Sequence, residues 1–206
     1  MILIISLDIL AISIVVGMTV TKGFERTLPV VAFLLILFPN ESQLRVPGLF
    51  DLTTQRLIII TVGMLYVAFG RGSSEGSQKA KLPLKYLIAI QIVWMAVSTA
   101  NSAVFSVSLK TVLSQMLDYF FVFYLFARAI SRVEMVYKIL YSLVVAMVIC
   151  SIFGAAQAYT GWSVISLFPT LPGRFGSPAG SLLDRGIRVQ STFGHPILFG
   201  GALAMA

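Results

Sequence analysis

Long apolar runs separated by short polar segments dominate the chain. Such runs are typical of membrane-spanning helices, because a bilayer core about 30 Å thick takes about 20 apolar residues in helical form. The pattern predicts spans near residues 1–20, 28–39, 56–70, 84–101, 110–130, 135–158 and 195–206. The sequence therefore predicts an all-α fold, a polytopic transmembrane helical bundle of about six to seven spans that forms one membrane-embedded domain over residues 1–206.

Two of these runs are shorter than a bilayer requires. Residues 28–38 cover only about half of a spanning length, so they predict either a short or tilted span or a re-entrant piece. The final run, 196–206, reaches only about 16 Å at 1.5 Å per residue, and no polar residue follows it. We therefore expect the last span to be truncated and the chain to be an N-terminal fragment of a longer protein.

Composition points to the same environment. The 206 residues are 58% hydrophobic and 11% charged, whereas an ordinary soluble domain has about 25% charged residues. Cys150 is the only cysteine, which argues against a secreted disulfide module. The net charge of +7 comes from basic residues that lie between the apolar runs and form no stripe along one helix face. We therefore expect no nucleic-acid partner.

The basic residues also predict the orientation of the chain. By the positive-inside rule, the side richer in Lys and Arg is expected to be cytoplasmic. That side collects Lys22, Arg26, Arg71, Lys79, Lys81, Lys85, Arg128, Arg132 and Lys138. The loop 159–192 is then extracytoplasmic. The side of Met1 stays open, because it depends on whether residues 28–38 span the membrane or re-enter it.

The loop 159–192 carries the candidate chemistry. It contains Arg174, Arg185 and Arg188 together with five glycines and a single acid, Asp184. Arginine binds phosphate oxygens through two parallel hydrogen bonds, and glycine lets the backbone approach a ligand closely. The loop thus predicts a site for a lipid-linked phosphate or pyrophosphate. The alternative is that these arginines only contact lipid headgroups or keep the loop in water.

Three further residues have both a functional and a structural interpretation. His195 precedes Pro196 at a helix entry, where it serves either as a base or as a purely structural side chain. Asp8 and Asp118 lie within apolar runs, where an acid costs about 2.5–3.5 kcal/mol at a helix centre, so each should face protein or water. Asp118 either bonds across helices or takes part in ion translocation. No metal-ligand set or complete catalytic group is present in the sequence, so we expect no metal and no cofactor.

Residues 149–206 carry two short motifs. They read ICSIFGAAQAYTGW, a loop rich in glycine and proline, and then DRGIRVQSTFGHPILFGGALAMA. Gly154, Gln157 and Gly161 form a G-x-x-Q-x-x-x-G helix end, and Arg188 precedes a helix entry of the G-T-F-x-x-P-N/H-P type, here residues 191–196. In these motifs the segment resembles the O-antigen ligase/polymerase superfamily of bacterial envelope glycan assembly. The earlier segment PNESQLRVPGLFDLTTQRLIII is similar to the N-terminal half of that family.

This resemblance implies an integral membrane glycosyltransferase on the outer face of the bacterial inner membrane. The donor would be a glycan linked to undecaprenyl pyrophosphate, and the acceptor a lipid A core for a ligase or another glycan for a polymerase. Arg188 is then the catalytic candidate, stabilising the pyrophosphate leaving group. Arg185, Arg174 and His195 are the candidates for substrate binding. The family's later outer loop is absent, so we expect the fragment to be inactive alone.

The sequence leaves other functions open. A membrane transporter is the main alternative, and its motivation is the pair of acids within spans, Asp8 and Asp118. A lipid-binding scaffold protein without catalysis is the third possibility. The residues separate neither ligase from polymerase nor one sugar from another.

Overall fold

The computed structural model describes residues 2–39, 43–44, 52–70, 85–130, 132–162, 164, 191–193 and 196–205. Its α-helices are α1 (Ile2–Lys22), α2 (Phe24–Leu37), α3 (Thr54–Leu65), α4 (Lys85–Ala100), α5 (Phe105–Gln115), α6 (Val122–Ala129), α7 (Val133–Thr160) and α8 (Pro196–Met205). Two π-helical turns accompany them: Tyr66–Gly70 extends α3, and Met116–Phe121 joins α5 to α6. The predicted all-α fold is confirmed for this part of the chain.

The described residues contain one short exception to the helical fold. Strands β1 (Gln43–Leu44) and β2 (Leu52–Thr53) form an antiparallel pair of two residues each. Thr53 also caps α3, because its side chain accepts a hydrogen bond from the Arg56 N–H at 3.2 Å. This pair therefore sets where α3 begins.

Three helices in the described part of the chain are long and apolar enough to cross a membrane. They are Ile4–Lys22, the continuous helix Phe105–Ala129 and Val133–Thr160, with 19, 25 and 28 residues. Thr54–Phe69 and Lys85–Ala100 are shorter apolar helices. The membrane character predicted from the sequence is thus supported by three helices, while the predicted count of six to seven spans stays a prediction.

Two helix boundaries differ from the sequence pattern, and at the first of them threonine side chains fit into the helices. The pattern indicated a polar link over residues 21–27, but α1 and α2 are separated only by Gly23, whose φ of 85° favours glycine. Thr21 and Thr27 donate their hydroxyl hydrogen bonds to carbonyls four residues earlier in the chain. Likewise α5 begins at Phe105, within the stretch that the pattern indicated as polar.

The apolar core lies where α1, α2, α3 and α7 meet. Its most deeply buried side chains include Val15, Leu28, Val31 and Ile58. α7 packs along α2, and the Ser142 hydroxyl donates to the carbonyl oxygen of Pro29 between them. By contrast, α5 buries no residue, and α4 buries only two. These two helices therefore present apolar side chains outward, as a helix facing lipid does.

Candidate functional site

The C-terminal end of α7 is shaped by a glycine. Gly161 has a φ of 72°, a left-handed conformation that side-chain-bearing residues rarely adopt. Its N–H donates to the Gln157 carbonyl at 2.9 Å and closes the last turn of the helix. Gly154, one turn before Gln157, is buried. Gly161 of the helix-end motif thus has a structural role, which is to end α7.

The side chain of Gln157 joins α7 to a segment far along the chain. Gln157 is buried, and its Oε1 accepts a hydrogen bond of 3.0 Å from the backbone N–H of Ser191. Ser191 has a φ of 50°, the one positive value among the non-glycine residues that the structure describes. The glutamine therefore holds a strained backbone position at the point where the chain returns to α7.

Two more polar contacts fix the same segment. The Ser191 hydroxyl donates to the Cys150 carbonyl at 2.5 Å, and the Thr192 hydroxyl lies 3.3 Å from the Cys150 thiol. Both hydroxyl-bearing residues are buried. We call Cys150, Gln157, Ser191 and Thr192 the α7 latch. It attaches residues 191 and 192 to α7 at two positions seven residues apart, Cys150 and Gln157.

Apolar contacts continue the attachment into α8. Phe193 packs against the cluster that Met147 and Cys150 form with Phe199 of α8. The rings of Phe193 and Phe199 are 5.8 Å apart between centroids, within the range of favourable aromatic pairs. The α7 latch and this cluster together hold the start of α8 against α7.

The four site residues predicted from the sequence lie outside the described residues. They are Arg174, Arg185, Arg188 and His195. Within the described chain, the structure does bring together the two motif segments on which the resemblance rests. Gln157 belongs to the first segment, and Ser191, Thr192 and Phe193 belong to the second. Sequence analysis identified both segments but not the hydrogen bond between them.

A second polar contact lies within the helical bundle. Arg56, in the first turn of α3, binds Asp118 in the π-helical turn Met116–Phe121. The Arg56 Nη2 is 2.8 Å from Asp118 Oδ2, and Nε is 3.0 Å from Oδ1, which makes the pair bidentate. The side chains are 14% and 32% exposed. The interpretation of Asp118 as a residue that bonds across helices is therefore correct, and its partner is Arg56.

Close packing near this ion pair depends on Gly63. A Cβ atom placed on Gly63 would lie 2.6 Å from Cζ of Phe121, which is closer than real Cβ contacts. Gly63 follows Arg56 by two helical turns, and Phe121 follows Asp118 by three residues. The absence of a side chain at Gly63 thus lets α3 approach the π-helical turn. π-Helical turns within α-helices are frequent at functional positions.

Asp8 is the most deeply buried acid among the described residues. It lies in α1, is 4% exposed, and neither carboxyl oxygen has a hydrogen-bond partner among the described residues. The Thr54 side chain is the polar neighbour of this carboxyl. Burying an unpaired ion costs several kcal/mol. The partial positive charge at the N-terminus of α3 offsets at most about 2 kcal/mol of that cost. The expectation that Asp8 faces protein is confirmed.

The described residues contain no group of three or more His, Cys, Asp or Glu side chains that could hold a metal ion. The polar contacts found there include the α7 latch, the Arg56–Asp118 pair, hydrogen bonds from Gln55 and Ser142 to backbone carbonyls of residues 29–38, and local hydrogen bonds within helices. They organise the backbone and can position a neighbouring segment. None of them by itself forms a nucleophile with a base.

Comparison of the chain with models of known families, with curated proteins and with solved structures finds no match in any of the three. The resemblance to the O-antigen ligase/polymerase superfamily therefore depends on the motif residues quoted above. We draw the function from those residues and from the geometry of the described chain.

Removing the Gln157 acceptor should destabilise the protein. In Gln157→Leu the side chain keeps its approximate size, but the buried N–H of Ser191 loses its partner, which costs about 1–3 kcal/mol. The free energy of unfolding in detergent measures the loss. Gln91 lies exposed on α4, so Gln91→Leu is the matched control and should change stability little. Equal effects of the two substitutions would contradict the role of Gln157.

The contact between Thr192 and Cys150 can be trapped covalently. Because Cys150 is the only cysteine, Thr192→Cys creates one possible intramolecular disulfide, and the 3.3 Å contact predicts that it forms on mild oxidation. Because Cys150 is buried, maleimide is added to the unfolded chain; counted by mass spectrometry, it should detect no free thiol after oxidation. Thr160→Cys is the control, since ten residues of helix place it about 15 Å from Cys150. Two free thiols in oxidised Thr192→Cys would show that this segment lies elsewhere.

Because Arg56 and Asp118 form an ion pair, their substitutions should have non-additive effects on the free energy of unfolding. Arg56→Ala and Asp118→Ala should each destabilise the protein, and the double variant should lose less than the sum, with an interaction energy of about 0.5–3 kcal/mol. Unfolding of the three variants in detergent gives this value. Arg26 and Glu134 are exposed and form no salt bridge in the described structure, so their alanine variants should be additive. Additivity at Arg56 and Asp118 would mean that the pair contributes nothing.

Proposed function

We propose that this chain is part of an integral membrane glycosyltransferase of the O-antigen ligase/polymerase type. It would transfer or polymerise glycans linked to undecaprenyl pyrophosphate on the outer face of the bacterial inner membrane. The observation that carries the proposal is the hydrogen bond from Ser191 to Gln157. This bond joins the two segments whose residues resemble the family.

The α7 latch supports a site at the end of α7. Ser191 follows Arg188 by three positions, so covalent geometry allows at most about 11 Å between their Cα atoms. A buried, hydrogen-bonded Ser191 therefore gives the adjoining chain a fixed attachment point. Rigid attachment is what a charge-stabilising residue requires, because a loosely held cation loses much of its effect on the transition state.

The proposed reaction needs one positively charged side chain, and no metal ion, to stabilise the leaving group. The acceptor hydroxyl attacks the anomeric carbon of the donor sugar, and the bond from that carbon to the pyrophosphate oxygen breaks. The electron pair leaves with undecaprenyl pyrophosphate, while the hydroxyl proton passes to a base. Negative charge thus develops on the leaving oxygen, and the guanidinium of Arg188 is the proposed group that stabilises it. Arg185, Arg174 and His195 are the proposed contacts to the rest of the substrate.

The proposed membrane arrangement has about six to seven spans. Its support is the three long apolar helices together with the two shorter ones, Thr54–Phe69 and Lys85–Ala100. The excess of basic residues on one side supports a cytoplasmic position for that side and an extracytoplasmic loop 159–192. The partners in this arrangement are the lipid-linked donor, a glycan or lipid A core acceptor, and the surrounding lipids.

A membrane transporter remains the second candidate, and one observation favours it. Asp8 is buried within an apolar helix and has no hydrogen-bond partner among the described residues, and acids inside membrane spans often mark ion pathways. Asp118, the other acid that motivated this candidate, is paired with Arg56, which explains it structurally. Substrate-driven ion flux in proteoliposomes that is lost in Asp8→Asn would establish transport.

The role of Arg188 can be tested in cells that depend on this protein. Arg188→Ala should reduce transfer about 10²–10³-fold, as does the loss of one donor to a developing oxyanion. The measurement is the amount and length of surface polysaccharide on gels. Arg26→Ala, at an exposed position of α2, is the matched control and should leave both unchanged at equal protein level. Unchanged polysaccharide in Arg188→Ala would refute the assigned role.

A further inference from the structure

Asp8 differs from the other acids of the described chain by its surroundings. It lies in the apolar helix Ile4–Lys22, only 4% exposed, where α1 packs against α2 and α3. Neither of its carboxyl oxygens has a hydrogen-bond partner within the described residues. An acid placed in this way is not explained by the polar contacts that organise the rest of the bundle.

No cation of the packed elements neutralises Asp8 in the described chain. On α2 the charged residues are Glu25 and Arg26, next to the Gly23 turn and about 20 Å along the helix axis from Asp8. On α3 the charged residue is Arg56, and it forms the bidentate pair with Asp118. An ionised Asp8 would therefore be a buried anion that no positive side chain of the described residues neutralises.

A neutral carboxylic acid fits these surroundings better. It has no net charge to desolvate, and it gains one O–H donor that the carboxylate lacks. The Thr54 side chain faces Asp8, and a hydroxyl oxygen has two lone pairs, so it can accept from an acid while it keeps another hydrogen bond. The first turn of α3 favours an anion, but no N–H of that turn donates to Asp8 in the described structure.

We propose that Asp8 is a proton-binding site within the membrane, and that it holds its proton at neutral pH in the contact between α1 and α3. The bound ligand is the proton itself, held by one carboxyl group that points at Thr54. The proposal is independent of the glycosyl transfer proposed above, because Asp8 is not part of the α7 latch. An alkali cation at the same carboxyl is the competing outcome.

Infrared spectroscopy of the purified chain in lipid tests the proposal without requiring activity. A protonated carboxyl gives a carbonyl stretching band that a carboxylate lacks. We expect this band at neutral pH in the wild-type chain, its loss in Asp8→Asn, and its retention in Asp118→Asn, the matched control at the ion-paired acid. Asp8→Glu should keep the band at a shifted frequency, so the test does not depend on one variant folding.

Three results would overturn the proposal. The first is the absence of the band at neutral pH, which would show that Asp8 is ionised. The second is a band that persists unchanged in both Asp8→Asn and Asp8→Glu, which would assign the proton to another acid. The third is a band that disappears when sodium chloride replaces potassium chloride, which would make the site one for a metal cation. Each result leaves the test of Arg188 unaffected.

Discussion

Polar groups within apolar helices must find partners inside the protein, and this requirement determines how the helices meet. Water is absent from a bilayer interior, so an unpaired polar group there costs several kcal/mol. Threonine solves the problem locally, since Thr19, Thr99 and Thr160 each donate to the carbonyl four residues earlier. Such contacts need no second helix. They allow threonine within the apolar runs but do not decide the fold.

Side chains that cannot be satisfied locally connect distant segments instead. Gln55 donates to the carbonyls of Leu35 and Phe38 and so ties α3 to the end of α2. The Arg56–Asp118 pair ties α3 to the helix Phe105–Ala129, and Gln157 ties α7 to the chain before α8. Hydrophobic attraction between helices is weak in lipid, where packing and hydrogen bonds drive association. These polar contacts therefore specify which helices become neighbours.

The same reasoning explains what could be predicted from the sequence. Apolar periodicity and length are properties of one segment, and α3, α4 and α7 begin within two residues of their predicted positions. The partner of Asp118 lies 62 residues away, and a hydropathy pattern contains no information on that distance. The motif identified Gln157, but its role as a hydrogen-bond acceptor depends on the backbone conformation of Ser191. Sequence analysis thus identified the segments of the candidate site but missed the contacts that join them.

Gln157, Asp118 and Asp8 show three ways to place a polar side chain in this bundle. Gln157 is neutral and needs only a backbone N–H, which makes it suited to hold a chain segment in place. Asp118 is charged and requires Arg56, and Gly63 provides the room that α3 needs to come close. Among the described residues, Asp8 has neither a backbone N–H nor a cation as its partner. Since an uncompensated charge at that position would oppose the packing of α1 on α3, the observed packing is most compatible with a side chain that carries no charge.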